Sequence, residues 1–414
     1  ELMPSNSIYF RITGTFYNPA PYALLLAVIF SFSVAICVFH QHFYKLIKYL
    51  SYITCFLILN VIPFTYNRAS WIGIAASVLL VLLYYLHKKG LLEKLSHYVK
   101  ITIFFIIFFM GVAGLILLYN LKEDSSKGRL LIWKVSSNIV KDHPFTGIGY
   151  GRFRSEYNLY QADYFKNKHN PTEELLADDV QVAFNDYLET LVETGFIGIG
   201  LLAFLIIMVL FTLRNNSETV ILYLIPYFIV VIMSLISYPV NSIVTKILFF
   251  FYISLAGSNI SSFTQNIPKT LVNHKSLLFV TSLCIMLIVI QLIKYHEYKI
   301  WLFATKTYDK GSYSVSEEYF QQINKSLKFE RFYSVAYAEC LMQNKRYSDV
   351  IDLLLKARMI TPCYDLFILL GNGYKSINAY SASEFSYKEA NYMSPGKILP
   401  DYLLMKLYYE TGDP

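Results

Sequence analysis

Residues 183–213 read "AFNDYLETLVETGFIGIGLLAFLIIMVLFTL". The first half carries Asn185, Asp186, Glu189 and Glu193, and from Phe196 to Leu213 there is no charge. A membrane span takes about 20 consecutive apolar residues, so the second half reads as a span. The stretch thus sets an acid-bearing segment at the mouth of a membrane helix, and this decides the fold class.

The rest of the chain agrees. Of its 414 residues, 55% are hydrophobic and only 16% charged, where a soluble domain carries about 25% charge. Eight apolar stretches are expected to span: roughly 20–39, 46–64, 69–86, 99–119, 195–213, 219–239, 243–257 and 276–293. The expected fold is all-α, a polytopic helical membrane protein. Its expected organisation is about four spans within 1–119, a large loop over 120–194, about four spans within 195–293, and a polar tail over 294–414. No basic stretch with a cleavage site precedes the first span, and the chain opens on Glu1. Further residues, whole spans included, are therefore expected ahead of it.

The net charge of +7 does not point to nucleic acid, because no basic cluster is dense enough. The lysines gather in short loops instead. Lys45 and Lys48, Lys88, Lys89 and Lys94, and Lys269 and Lys275 fall on one side by alternation. Positively charged short loops mark the cytoplasmic side. The 120–194 loop, the 66–70 turn and the tail are then expected on the opposite side, the periplasm of a Gram-negative cell.

The tail repeats. Tyr313, Tyr347 and Tyr380 recur at intervals of 34 and 33, and Ala357/Ala390 and Pro362/Pro395 at 33. A helix-pair period of that length resembles tetratricopeptide repeats, an α-solenoid. The final "YYETGDP" reads as the first helix of another unit.

Candidate chemistry collects outside the spans. Arg68 follows the turn "TYN" and opens a span rich in small residues; a buried arginine there needs an anion, and phosphate suits its forked donors. Arg129–Lys141 reads as an amphipathic helix with Leu131, Ile132, Val135 and Ile139 on one face. Arg129 at the start of that helix is placed near Arg68, where two guanidinium groups can neutralise a diphosphate. Gly147, Gly149 and Gly151 form a turn with no preceding strand, which argues against a nucleotide loop. Asp178 or Asp179 is expected to cap a helix running into the fifth span, with Asp178, Gln181, Asn185 and Glu189 as one polar stripe. Asp186 and Glu193 are read as a solvated face. No metal-ligand spacing occurs, so neither a metal nor another cofactor is expected.

Four motifs, in order, resemble the O-antigen ligase family, which also holds polysaccharide polymerases and protein O-oligosaccharyltransferases. They are "RITGTFYNPAPYALLLA", "NRASWIG", "GRLLIWKVSSNIVKDHPFTGIGYGRF" and "FNDYLETLVETGFIG". In the last, Asn185, nine residues, Gly195, two residues and Gly198 keep the family spacing. The resemblance implies a membrane fold like that of the GT-C glycosyltransferases, a large periplasmic loop, and metal-independent transfer from an undecaprenyl-diphosphate-linked glycan in the inner membrane. It assigns Arg68 and Arg129 to the diphosphate. The implied acceptor is a lipid, another glycan or a protein. Membrane lipids surround the spans, and the tail is open to a protein partner.

One departure matters. Where the family carries histidine as base, this chain has Phe184. Asp178, Asp179, Glu189 and His169 are the substitutes, with His143 beside Pro144 behind them. A reaction with strong carbocation character, needing no strong base, is the other way out. Outside enzyme catalysis, a lipid-glycan flippase and a catalytically decayed membrane scaffold stand as alternatives.

Overall fold

The computed structural model describes residues 12–14, 16, 18–39, 44–120, 123–212, 218–258, 274–327 and 330–412, and every regular element among them is helical. Residues 259–273, with Lys269, lie outside this set.

The apolar stretches are helices: α1 Pro19–Val38, α2 Lys45–Val61, α3 Arg68–Lys88, α4 His97–Asn120, α8 Asp186–Thr212, α9 Glu218–Met233, α10 Ile243–Ser258 and the start of α11, His274–Asp309. Among the described residues four stretches of helix, Pro19–Val38, Lys45–Thr65, Arg68–Lys88 and Asp186–Phe211, are long and apolar enough to cross a membrane. The sequence sets the starts. Asn18 accepts from the Ala20 N–H at 2.9 Å, and Pro19 fits the first helical position. Asn67 accepts from the Ser70 N–H at 3.0 Å and so begins α3 directly at Arg68. The sixth expected span, 219–239, is shorter than expected. Its helix stops at Met233, because Ser234, Ser237 and Pro239 turn the chain over 234–242.

Contacts divide the chain into two compact units. The first holds residues 1–129, 145–147 and 182–266. Its core is built by α1, α3, α9 and α10, through Leu24, Val28, Ala69, Leu224, Tyr227, Val230, Met233 and Phe249. Small residues let α3 approach closely: a Cβ on Gly73 would stand 2.8 Å from the Met233 sulfur.

The second unit holds residues 130–144, 148–181 and 267–414. The loop expected over 120–194 is therefore shared between units. Here α6 (Phe153–Asn167) packs on α16 (Tyr380–Met393), and Ala162 joins the tail's core. Gln161 donates to the carbonyls of Asp178 and Met393 at 2.9 and 2.5 Å. The tail itself consists of α12 Tyr313–Leu327, α13 Arg331–Gln343, α14 Tyr347–Arg358, α15 Tyr364–Ser376, α16 and α17 Ile398–Thr411. Each repeated tyrosine opens a helix, and Ala357 and Ala390 are fully buried. The "YYET" of the final stretch forms the last turn of α17, closed by Gly412 in the left-handed conformation.

Candidate active site

The site is built on the break ahead of α8. The helix expected from Asp178 does not form. Residues 178–185 are irregular, and α8 begins at Asp186. Two local causes are visible. Val180 and Val182 are poor helix formers, and Asn185 fills the cap position expected of either aspartate. Its Oδ1 accepts from the N–H groups of Tyr187 and Leu188, both at 3.0 Å. The expected stripe of Asp178, Gln181, Asn185 and Glu189 is consequently absent.

Just before the cap, Phe184 takes φ = 53°. A bulky residue in that region is strained and persists only where its surroundings hold it. Glu189 supplies part of the hold: one carboxylate oxygen accepts from the Ala183 N–H at 2.8 Å, the other from Asn241 Nδ2 at 2.9 Å. Asp186 supplies the rest. One of its oxygens accepts from Ser234 Oγ at 2.8 Å and the Val240 N–H at 3.1 Å, while its own N–H donates to the Ser234 carbonyl. Both acids thus tie the start of α8 to the 234–242 turn. Asp186 and Glu193 were expected on a solvated face, but they are only 8% and 6% exposed. Helical spacing alone does not tell a solvated acid from one bonded across to a distant turn.

Arg129 meets this assembly. It lies in α5 (Glu123–Asp142), inside the helix and not at its start, because Glu123 and Asp124 already form a favourable acidic first turn. The face expected to be apolar, Leu131, Ile132, Val135 and Ile139, is buried. The Arg129 guanidinium lies over the Phe184 ring, 4.9 Å from its centroid, and Nη1 donates to the Ile236 carbonyl at 2.6 Å. Its Nε is buried without a hydrogen-bond partner among the described residues. Tyr238 also packs on Phe184, edge to face at 5.3 Å.

Arg68 opens α3 and donates to Ser126 Oγ at 2.8 Å and Ser125 Oγ at 3.4 Å, in the first turn of α5. The two arginines feel each other. Burial first, and then the positive charge of Arg68, lower the ionisation of Arg129 to about 10. Arg68 is thus close enough for its charge to act on Arg129, whose Nε–H is buried without a hydrogen-bond partner among the described residues.

The motif glycines have a backbone role. At Gly195 (φ 64°, ψ −165°) α8 breaks, in a region open essentially to glycine alone. Beyond the break the Ile197 N–H donates to the Phe145 carbonyl, and Gly147 packs so closely on the Glu193–Thr194 peptide that a Cβ would overlap it. A Cβ on Gly198 would strike the Thr194 side chain. Nine residues between Asn185 and Gly195 measure the helix between its cap and its break.

Other candidates fall elsewhere. Asp178 and Asp179 belong to the second unit, paired with Lys397 at 2.8 Å and with Arg331. His169 is exposed there beside Glu174, and His143 belongs to the same unit. Among the described residues no three His, Cys, Asp or Glu side chains gather as a metal site. Sequence reasoning missed Ser234, Tyr238 and Asn241. The signal available was "SLISYPVNS", a polar, proline-bearing interruption of an apolar run.

Residues 53–203 match the family model for O-antigen ligase, which indicates glycosyl transfer of the ligase or polymerase type in general. The match covers less than half the chain. It takes in Arg68, Arg129, Phe184, Asn185, Gly195 and Gly198, and leaves out the 234–242 turn and the tail. No curated protein and no solved structure matches the chain. With its apolar helices, the chain is a helical membrane protein bearing a region similar to O-antigen ligases.

Proposed function

We propose that the chain transfers a glycan from undecaprenyl diphosphate to an acceptor hydroxyl on the periplasmic face of the inner membrane, with Arg68 and Arg129 holding the diphosphate. The observation carrying this reading is the arginine pair, one member with a buried Nε that has no hydrogen-bond partner among the described residues. A guanidinium stays charged at neutral pH even with its ionisation lowered to about 10, and its fork matches two phosphate oxygens.

In the reaction the acceptor oxygen bonds to the anomeric carbon as the bond from that carbon to the diphosphate oxygen breaks. The electron pair of the broken bond goes to the diphosphate, where the arginines stabilise the growing charge. The acceptor's proton leaves to water once its oxygen has become an oxonium, which is strongly acidic. No strong base is required. Phe184 then takes the histidine's place as a platform: its ring face attracts the guanidinium and fixes the direction of the fork. Glu189 is a positioning residue, since both its oxygens are used to hold the Phe184 turn. Asn185 sets the start of α8.

Polysaccharide polymerases and protein O-oligosaccharyltransferases share this chemistry and differ in the acceptor. A deletion strain separates them by what is lost: glycan on lipid, glycan chain length, or glycan on protein. Transfer of any of these kinds disappears in Arg129→Ala under the proposal. A flippase or a scaffold predicts wild-type transfer in that variant.

A further inference from the structure

Tyr238 is half-buried, held by its ring contact with Phe184 and by the bonded turn that follows it. It stands between α9 and the turn Pro239–Asn241, and that turn is bonded to Asp186 through Val240 and to Glu189 through Asn241. Two residues earlier the Ile236 carbonyl accepts from Arg129. The ring packs edge to face on Phe184 at 5.3 Å. The hydroxyl makes no hydrogen bond to another described residue, so its O–H is open to a ligand. It is close enough to Arg129 for the guanidinium charge to act on it.

We propose that the Tyr238 hydroxyl is a third ligand for the diphosphate, donating a hydrogen bond to the phosphate oxygens beside Arg129. This rests on the diphosphate reading above and adds a residue outside the family match. The O–H is a donor carried by a ring whose position is set by packing on Phe184. During transfer the breaking bond leaves its electron pair on the diphosphate oxygen, and the hydrogen bond strengthens as that charge grows. The phenol keeps its proton throughout. Burial holds its ionisation above the ordinary range, with Arg129 opposing in part, and a diphosphate is a far weaker base than a phenolate.

The test is binding of undecaprenyl diphosphate to the full chain in nanodiscs, comparing Tyr238→Phe, Arg129→Ala and wild type. Tyr238→Phe retains the ring against Phe184, and its melting temperature serves as the check on folding. The expected result is about tenfold weaker binding for Tyr238→Phe, the loss of one charge-assisted hydrogen bond, with a larger loss for Arg129→Ala. Wild-type binding in Tyr238→Phe alongside a loss in Arg129→Ala overturns the role of Tyr238 and leaves the arginine site standing. Wild-type binding in both overturns the diphosphate reading itself. Tyr238→Trp, which restores an aromatic ring but moves the donor, is expected to bind no better than Tyr238→Phe.

Discussion

The guanidinium of Arg129 lies over the ring of Phe184, 4.9 Å from its centroid, at the position where the resemblance leads one to expect a histidine. A residue unable to take a proton thus contributes by holding a cation. A desolvated contact of this kind is worth about 1–2 kcal/mol. Phe184→Leu is expected to lower transfer about tenfold, with Phe184→Tyr nearer to wild type. Phe184→His is expected to give no gain over wild type. Transfer rates in membranes expressing each variant at equal level provide the check, and a faster Phe184→His enzyme would show that a base is wanted there.

The ionisation of Arg129 gives a pH expectation. Its charged form is disfavoured by burial and by Arg68, so the group loses its proton at about 10. Charge, and with it diphosphate affinity, is therefore fully present below that value and falls as pH rises through it. Binding of undecaprenyl diphosphate is expected to stay level from about pH 7, where phosphate is ionised, to about pH 9. The bound anion favours the charged guanidinium, so the ligand also raises the melting temperature. A steep fall in binding between pH 7 and about 8.5 would assign the anion site to another group.

Gly195 supports a sharper structural test. Its φ of 64° with ψ of −165° is closed to residues with a Cβ, at a cost of about 1–3 kcal/mol. Gly195→Ala is expected to straighten α8 or lower the melting temperature. Gly147→Ala, which forces a methyl into the Glu193–Thr194 peptide, is expected to do at least as much harm. Gly151→Ala meets no neighbouring atom within 4 Å but is also left-handed, so a smaller loss from backbone strain alone is expected. Melting of the purified variants in detergent ranks the three.

The second unit supplies an independent prediction. Asp179 is paired with Arg331 and accepts from Asn158 at 2.8 Å, and the Arg331 side chain is only 6% exposed. Removing one partner of a buried pair leaves an uncompensated charge and costs about 3–5 kcal/mol. Arg331→Ala and Asp179→Ala are each expected to expose the 148–181 segment to protease, and the double variant Arg331→Met/Asp179→Leu to restore protection in part. Equal cleavage of wild type and both single variants would contradict the pairing.

Composition made the helical membrane class legible, and the turn ahead of Arg68 marked the start of α3; the cap expected at Asp178 or Asp179 was not there, since Asn185 caps α8. The amphipathic face of α5 was also readable from its spacing. The site was legible in part. Arg68, Arg129 and the Asn185–Gly195–Gly198 spacing are local signals. Tyr238 is not, because its importance comes from a contact with Phe184 across 54 positions of sequence, and no periodicity encodes that. Asp186 misled for the same reason: its partners, Ser234 and Val240, sit in a turn that hydropathy counted as part of a span. Asp178 and Asp179 were near in sequence to the site, yet Lys397 and Arg331 engage them within the second unit.

Under the proposal, Arg129 holds the leaving diphosphate during glycosyl transfer. The most direct test is the amount of undecaprenyl-diphosphate-linked glycan in a deletion strain carrying Arg129→Ala, beside one carrying wild type at equal membrane level. Losing one such charge stabiliser lowers turnover by about 100–1000-fold, so the lipid-linked glycan is expected to accumulate while the transferred glycan vanishes. Unchanged levels of both would contradict the account.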